Sequence, residues 1–332
     1  MQFRFVRLAV LVCALGMAAA GCGKYSISNI RSLKAFQDAT LLYKKADYRG
    51  AIPLYEESIK RNPDLGFAYF FLGNSHDNLY KAARKGEAEN DAHLQRAVEN
   101  YQQAIQKLST STDPKEQDIR KYAFQYLIAA YGRDKLDDFS KAEPVAQEMI
   151  KIEPNEPINY QALAKLYEDQ GRYDEAETWF KKAIDVRPND ALGYQMLAGF
   201  YNRQGEFEKT MEAFNRRAAL EPNNPEAWHT MASYYQEKAT RDKTLPKPKQ
   251  LEYVLKGIEA DNKALALNAD YFEALTFKNI LLRMEANLEK DPARQKQLLQ
   301  EADDLRAKAM EVQKKQQAAA ASADKDKKPG KD

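Results

Sequence analysis

Large apolar, small and polar residues recur along the chain with a period of 34 residues. The stretch YEDQGRYDEAETWFKKAIDVRP at Tyr167–Pro188 returns as YNRQGEFEKTMEAFNRRAALEP at Tyr201–Pro222. Counted from Pro157 as position 1, apolar or small residues occupy positions 4, 7, 8 and 11 and then 20, 24 and 27. The second copy departs from this pattern only at Thr210 and Arg217. Spacings of three and four residues place each group on one face of an α-helix, so every period predicts two helices.

Other positions predict how each helix pair closes. Gly171 and Gly205 stand at position 15, where a left-handed turn would end the first helix. Pro188 and Pro222 stand at position 32, where they would stop the second helix. Small residues at positions 8, 20 and 27 allow close approach of the helices, and bulky residues beside them fill the remaining space. A single hairpin cannot bury its apolar face, so we expect successive hairpins to stack.

Weaker copies of the pattern extend over most of the chain. They keep the key positions at Ala39, Ala51, Tyr55 and Pro63; at Tyr69, Leu72, Gly73, Ala97, Tyr101 and Ala104; at Phe124, Leu127, Tyr131, Ala142 and Pro154; and at Trp228, Met231, Ala232, Tyr235 and Ala264. The pattern resembles the tetratricopeptide repeat (TPR). The resemblance implies an all-α fold, a right-handed α-solenoid of about seven TPR-like helical hairpins over residues 32–316. The last helix, from about 293 to 316, is expected to cap the solenoid, with a coiled-coil partner helix as the alternative interpretation.

Two breaks in the spacing indicate insertions, near residues 78–94 and 238–250. We expect the first insertion to lengthen both helices of its hairpin. The second contains Pro246 and Pro248 and is therefore expected to form a loop in part. Basic residues at 241–249 suit contact with anionic lipid or an acidic partner, and a solvated loop is the simpler interpretation.

Two further segments do not fit the repeat. The stretch STSTDPKEQ at 109–117 separates the first two hairpins from the rest, and we expect it to act as a hinge loop. The end of the chain, residues 317–332, has low complexity and is expected to be disordered.

The N-terminus carries the pattern of a secretory signal, with a basic start and the apolar run Leu8–Ala20. This run is shorter than the ~20 residues that cross a bilayer. The sequence AAGC, which ends at Cys22, resembles the lipobox of bacterial lipoproteins, although Ala replaces the usual Leu. The resemblance implies a lipoprotein signal peptide at 1–21, acylation of Cys22 by palmitate-type chains, and a tether at 22–31. Ordinary cleavage after Ala18–Ala20 is the alternative.

Cysteine usage and location are consistent with the lipoprotein interpretation. Cys13 and Cys22 are the only cysteines, so cleavage and acylation would leave no free thiol in an oxidising compartment. The family's sorting pattern implies the outer membrane, because no Asp follows Cys22. We therefore expect a location in the bacterial cell envelope, at the outer membrane and facing the periplasm.

Charge and chemistry point away from several protein classes. The formal net charge of +2 over 332 residues gives no electrostatic case for nucleic acid. His76, His93 and His229 have no second His or Cys at metal-ligand spacing, and the sequence has no Gly-rich phosphate loop. We therefore expect no enzyme, cofactor, metal site or small-molecule substrate. An enzyme with its active site in the insertions remains a third possibility.

A binding role follows from the geometry that the resemblance implies, in which positions 2, 5, 9 and 12 of the first helices line a concave groove. The candidate peptide-binding residues at these positions are Phe36, Phe67, Phe70, Asn74, Tyr122, Gln125, Gln161, Lys165, Gln195, Asn202 and His229. The groove would be aromatic near the tether and rich in amides further along, which suits an extended or helical polypeptide. For Phe36, Phe67 and Phe70, packing in the core is the alternative.

The sequence therefore predicts a membrane-anchored interaction scaffold or adaptor that binds a protein or peptide in its groove. The resemblance to outer-membrane TPR lipoproteins implies a role in assembling envelope, pilus or secretion complexes. A soluble periplasmic carrier or chaperone for exported polypeptides is the alternative function.

Overall fold

The computed structural model describes residues 26–326, and in this range the chain forms α-helices joined by loops. The helices are α1 (Ile27–Lys44), α2 (Tyr48–Arg61), α3 (Gly66–Leu79), α4 (Ala88–Lys107), α5 (Pro114–Tyr131), α6 (Phe139–Ile152), α7 (Pro157–Asp169), α8 (Tyr173–Val186), α9 (Ala191–Arg203), α10 (Phe207–Leu220), α11 (Pro225–Arg241), α12 (Lys247–Leu267), α13 (Phe272–Leu288) and α14 (Pro292–Asp326). Consecutive helices pack as pairs, from α1 with α2 to α13 with α14. The predicted all-α solenoid of stacked helical hairpins is confirmed.

The hairpins form two compact units. Unit 1 contains α1–α8 and ends at Val186, and unit 2 begins at Arg187 and contains α9–α14. In unit 1, the first helix α3 also contacts the first helices on either side of it, α1 and α5. The segment 109–117, predicted as a hinge, lies inside unit 1, where α4 and α5 pack together and α5 already begins at Pro114. The boundary between the two compact units comes after α8, and the hinge at 109–117 stays a prediction.

Small residues at the predicted positions form the contacts between helices. The alanines at positions 8, 20 and 27 are buried at Ala39, Ala51, Ala97, Ala104, Ala142, Ala164, Ala176, Ala183, Ala198, Ala232 and Ala264. At position 8 of α3, a Cβ added to Gly73 would lie 3.0 Å from the Tyr101 ring. Such close contact leaves no room for larger side chains, which explains why the sequence keeps these positions small.

Left-handed residues close the hairpins as predicted. Gly171 has a φ of 72° and Gly205 a φ of 75°, and each follows the first helix of its hairpin. In the first hairpin Ala46 takes the same place with a φ of 60°. Glycine adopts this conformation without strain, whereas alanine does not, so the first hairpin carries a local cost that the hairpins of Gly171 and Gly205 avoid.

Prolines mark the ends of the second helices. The helices α2, α6, α8 and α10 each stop just before an X-Pro pair that contains Pro63, Pro154, Pro188 or Pro222. The residue before a proline is sterically driven out of the α conformation, so the helix cannot continue. The predicted stop signals are confirmed at these four helices.

The first insertion differs from its prediction. It lengthens only α4, because α3 already ends at Leu79 and a loop with a short 3₁₀ turn at Ala82–Arg84 follows. The side chain of Asn90 holds this loop: its Oδ1 accepts from the Lys81 amide at 2.8 Å and its Nδ2 donates to the Arg84 carbonyl at 3.0 Å. The second insertion lengthens α11 and α12 and leaves a loop at 242–246, in agreement with its two prolines.

Two predicted boundaries shift at the ends of the described chain. The helix α1 begins at Ile27, where Ser26 caps it by accepting from the Asn29 amide, so the predicted tether of 22–31 ends earlier. The helix α14 continues to Asp326, so the first part of the predicted disordered tail 317–332 is helical. The predicted signal peptide at 1–21, the acylated Cys22 and the rest of the tail lie outside the described residues.

Within residues 26–326, no helix combines the length and the apolar character that crossing a membrane requires.

Candidate functional site: the first-helix wall

The first helix of each hairpin presents positions 2, 5, 9 and 12 on one face, which we name the first-helix wall. In unit 1 the residues at position 2 are Leu33, Phe67, Tyr122 and Ile158, from α1, α3, α5 and α7. Tyr122 is 37% exposed and Ile158 is 41% exposed, although positions 7, 8 and 11 of their helices are buried. Leu33 is also exposed, and Phe67 is half-buried. Each first helix of unit 1 therefore carries a large apolar side chain at position 2, and we refer to these four residues as the apolar row.

The predicted aromatic residues of the wall pack against one another. The Phe36 ring lies 6.5 Å from Phe67 and 5.8 Å from Phe71. The Phe70 ring lies 5.2 Å from Phe71 and 5.8 Å from Tyr126, and Phe70 is buried. These contacts favour the core interpretation for Phe70, which joins α3 to α5, while Phe36 and Phe67 keep part of their surface.

Asn74 lies in a polar network that joins several elements of unit 1. Its Oδ1 accepts from the Tyr43 hydroxyl at 2.6 Å, and its Nδ2 donates to the Tyr101 hydroxyl at 3.4 Å. Tyr101 donates in turn to Asp77 at 3.3 Å, and Asp77 pairs with Lys135 from the α5–α6 loop. Asn74 is buried, so the network uses the side chain that the sequence assigned to the groove.

The amide and basic candidates of α5 and α7 differ in accessibility. Gln125 is half-buried beside the apolar row, whereas Gln161 is buried. The Oε1 atom of Gln161 has no hydrogen-bond partner within the described chain. Lys165 is exposed and forms ion pairs with Glu168 at 3.6 Å and with Asp169. Of this group, Gln125 and Lys165 present polar atoms at the surface.

In unit 2 the predicted wall residues differ from one another in exposure and in contacts. On α9, Gln195 is half-buried and Asn202 is exposed, and the preceding Leu192 is exposed as well. His229 of α11 is mostly covered, and its Nδ1 lies 2.9 Å from Asp261 Oδ1. Asp261 is fully buried, and this burial raises the pKa of its carboxyl to about 6, although His229 opposes the shift. His229 therefore contacts the interior of unit 2.

The other two histidines form a pair that the spacing did not predict. His76 Nδ1 lies 2.9 Å from His93 Nδ1, across α3 and α4. Burial lowers the pKa of His76 to about 4, and the neighbouring His93 adds to the shift, so the imidazole is neutral near pH 7. In residues 26–326, no group of three or more His, Cys, Asp or Glu side chains assembles a possible metal site.

A cleft of about 480 Å³ lies between α4, α5 and α6 and was missed at the sequence level. Its lining is mainly apolar, with Ile105, Phe124, Leu127, Val145 and Ile152 among its residues. The α5–α6 loop covers residues 132–138 and is longer than the turns at 170–172 and 204–206.

The basic segment at 241–249 makes local contacts. Arg241 pairs with Glu237 at 2.6 Å, and Lys249 pairs with Glu252 at 2.9 Å. The Lys243 ammonium donates to the Thr240 carbonyl at 2.9 Å. Arg241 ends α11, Lys249 lies in α12 and only Lys243 lies in the loop at 242–246, and these local contacts suit a solvated segment.

Known proteins resemble this chain in its repeats. Tetratricopeptide repeat family models match residues 135–199 and 191–234. Among curated proteins, none matches the chain.

Solved structures match a larger part of it. The C-terminal part of a TPR repeat-containing protein from Cytophaga hutchinsonii is 17% identical, covers 83% of this chain and 98% of its own, and has a TM-score of 0.52. MamA from Desulfovibrio magneticus RS-1 is 16% identical, covers 58% and 96%, and has a TM-score of 0.43. YrrB, described as a TPR protein with an unusual peptide-binding site, is 16% identical, covers 60% and 91%, and has a TM-score of 0.38.

At these sequence identities the solved structures support the fold alone. TPR repeats generally act as non-enzymatic scaffolds that bind protein or peptide partners, and no catalytic family is indicated. The repeat spacing, the seven helix pairs of the described region and the family models agree, and the repeats that these models match over residues 135–234 are tetratricopeptide repeats.

Proposed function

We propose that the protein is a scaffold that binds a polypeptide along the first-helix wall of unit 1. The observation that carries the proposal is the row of apolar side chains at position 2, above all Tyr122 and Ile158, which remain accessible in a folded unit. Accessible aromatic and aliphatic side chains are the usual anchors of protein interfaces. Gln125 and Lys165 lie on the same wall and supply polar contacts beside the row.

The chemistry of the wall selects the kind of partner. A segment with large apolar side chains would cover Tyr122 and Ile158, and its backbone polar groups would find the amide of Gln125 beside them. Phe70 and Asn74 are buried in contacts within unit 1, so they stabilise the wall and do not contact the partner. The proposed contact set is therefore narrower than the set of wall positions in the sequence.

We further propose that the scaffold is held at the bacterial envelope, at the outer membrane and facing the periplasm, through an acylated Cys22. The support is the lipobox-like sequence before Cys22 and the absence of any other cysteine after residue 22. More than one acyl chain makes attachment stable where a single chain is marginal. The partner would then be a component of an envelope complex.

Site-specific photocrosslinking tests the wall. A benzophenone amino acid placed at residue 122 or 158 in the native membrane should crosslink to a polypeptide that mass spectrometry identifies. Leu220 and Leu255, exposed apolar residues on the second helices α10 and α12, provide matched control positions. The Tyr122→Ser, Ile158→Ser variant should lose binding of the identified partner, and the Leu220→Ser, Leu255→Ser variant should keep it. An equal yield of crosslinks at the wall and control positions would refute the proposal.

Metabolic labelling with radioactive palmitate tests the anchor. The wild-type protein should incorporate label, and Cys22→Ser should not. A wild-type protein that stays unlabelled and is released by osmotic shock would instead support the soluble periplasmic carrier. The two tests are independent, because a soluble protein can still bind a polypeptide through its wall.

A further inference from the structure

The two histidine rings that join α3 to α4 lie in a tightly packed interface of unit 1. His76 of α3 has only 1% of its surface exposed, and its Nδ1 lies 2.9 Å from Nδ1 of His93 in α4. One turn away, a Cβ added to Gly73 would lie 3.1 Å from the Ala97 carbonyl oxygen. The two helices therefore approach closely on either side of the ring contact.

The contact between the two Nδ1 atoms limits how many protons the pair can hold. One Nδ1 must donate its proton and the other must accept it through a lone pair, which an imidazolium does not have. If both rings were charged, two N–H groups would face each other at the 2.9 Å distance. The Nε2 atom of His93 is also buried and has no hydrogen-bond partner within residues 26–326, so a charged His93 would leave a second N–H unsatisfied.

The charges around the pair oppose a positive charge on the rings. Arg49 of α2 acts on His93, and Arg96 of α4 acts on both rings. Glu89 of α4 acts on His93 in the opposite direction, but its carboxylate already lies 3.6 Å from the Arg49 guanidinium. Two cations therefore face the pair, and the carboxylate beside it is shared with one of them.

Other titratable groups that pack on α3 are engaged elsewhere or stay neutral in acid. Asp77 follows His76 in the sequence, and its carboxylate pairs with Lys135 of the α5–α6 loop. Tyr43 of α1 and Tyr126 of α5 contact the rings of α3 further along the helix. Burial raises the pKa of both tyrosine hydroxyls, so neither carries a charge that could offset an imidazolium.

The folded state consequently holds protons on these rings weakly. Burial lowers the pKa of His76 from 6.5 to about 4, and burial also lowers the pKa of His93. The stability that the neutral pair contributes is present above pH 6.5 and is lost as the pH falls towards 4, because the open chain takes up the protons first. We propose that the His76–His93 pair is an acid-sensitive latch between α3 and α4, which opens when acid protonates both rings. Because α3 also carries Phe67, opening would disturb the apolar row of the first-helix wall.

Hydrogen exchange, followed by mass spectrometry on the full chain, tests the latch. After correction for the intrinsic exchange rate, the amides of α3 and α4 should lose about twentyfold in protection between pH 7 and pH 5. A ring whose pKa is 6.5 in the open chain and about 4 in the folded chain shifts the opening equilibrium by this factor of about twenty. The amides of α11 and α12 should not lose protection over this range, because the raised pKa of Asp261 favours the folded state in acid.

Asparagine provides a matched variant, since its amide lies close to the Nδ1 position of histidine and does not titrate. The His76→Asn, His93→Asn variant should keep the protection of α3 and α4 within about twofold from pH 7 to pH 5. His229→Asn in unit 2 should leave the acid response of α3 and α4 as it is in the wild type. Unchanged protection in the wild type, or an equal loss in the double variant, overturns the proposal.

Nitrogen-15 spectra of the histidine rings test the same proposal on the wild-type chain, without a variant that could misfold. At pH 7 one ring of the pair should carry its proton on Nδ1 and the other on Nε2. Both rings should titrate below pH 6.5, the ordinary value for histidine. A midpoint at or above this value for either ring, or the same tautomer in both, overturns the latch.

Discussion

The left-handed turn between the helices of a hairpin is occupied by Gly171, Gly205 and Ala46, and exchanging these residue types should change stability with opposite signs. Gly171→Ala and Gly205→Ala introduce a Cβ at a φ above 70°, whereas Ala46→Gly removes one at a φ of 60°. Gly199 is a control within α9, where alanine suits the helix. Units 1 and 2 each contain one of the glycine turns.

The magnitude follows from the backbone alone. A Cβ built on Gly171 or Gly205 meets nothing within 4 Å, so no clash contributes. The left-handed conformation costs a non-glycine residue about 1–2 kcal/mol, and the loss of unfolded-state freedom returns about 0.5–1 kcal/mol. We therefore expect each Gly→Ala change to lower the free energy of unfolding by about 1 kcal/mol, and Ala46→Gly to raise it by a similar amount. Gly199→Ala should raise it by about 0.5–1 kcal/mol.

Urea unfolding followed by tryptophan fluorescence can measure each unit separately. Trp179 lies in α8 of unit 1, Trp228 lies in α11 of unit 2, and the chain has no other tryptophan. A Trp228→Phe background therefore reports on unit 1, and a Trp179→Phe background reports on unit 2. If Gly205→Ala and Gly199→Ala changed the free energy of unfolding in the same direction, the argument would be refuted. Backbone conformation would then not set the effect.

Other perturbations follow from single contacts. Burial raises the pKa of Asp261 from 3.8 to about 6, so the folded state holds this proton more tightly than the unfolded chain; the unfolding free energy should fall by on the order of 3 kcal/mol as the pH rises from about 3 to about 7. Asp261→Asn should flatten this slope in urea titrations, and an unchanged slope would contradict the assignment. Gly73→Ala should cost about 1–3 kcal/mol because its Cβ would lie 3.0 Å from the Tyr101 ring, and an unaltered melting temperature would argue against tight α3–α4 packing. Lys135→Met should lower the free energy of unfolding by about 3 kcal/mol in urea, because it leaves the carboxylate of Asp77 buried without its cation. Adding Asp77→Asn should restore most of this free energy. If the effects of the two substitutions simply added, the ion pair would not be the cause.

Much of the fold could be predicted because the residues that shape each repeat act within that repeat. Glycine at position 15 predicted the positive φ of Gly171 and Gly205, and proline predicted the ends of α8 and α10. Buried alanines such as Ala164 and Ala198 occupy the places where helices approach closely. These features depend on sterics within a few residues, so the sequence alone contains them.

The candidate site was less predictable because it depends on neighbours in space. Phe70 and Ile158 belong to the same wall, but Phe70 is buried by rings from α5 whereas Ile158 is not covered. Asn74 was assigned to a groove, yet Tyr43 and Tyr101 engage it. Peptide binding at the wall stays a prediction.

The helix pairing also has a consequence for how the chain folds. Each helix packs extensively against the helix before or after it in the chain. The contacts between first helices join successive hairpins only. A low sequence separation between contacting residues favours rapid folding, and a stacked array can grow outward from whichever hairpin orders first. A polypeptide with this arrangement can therefore acquire structure progressively as it emerges from a ribosome or a translocation channel, without waiting for its distant end.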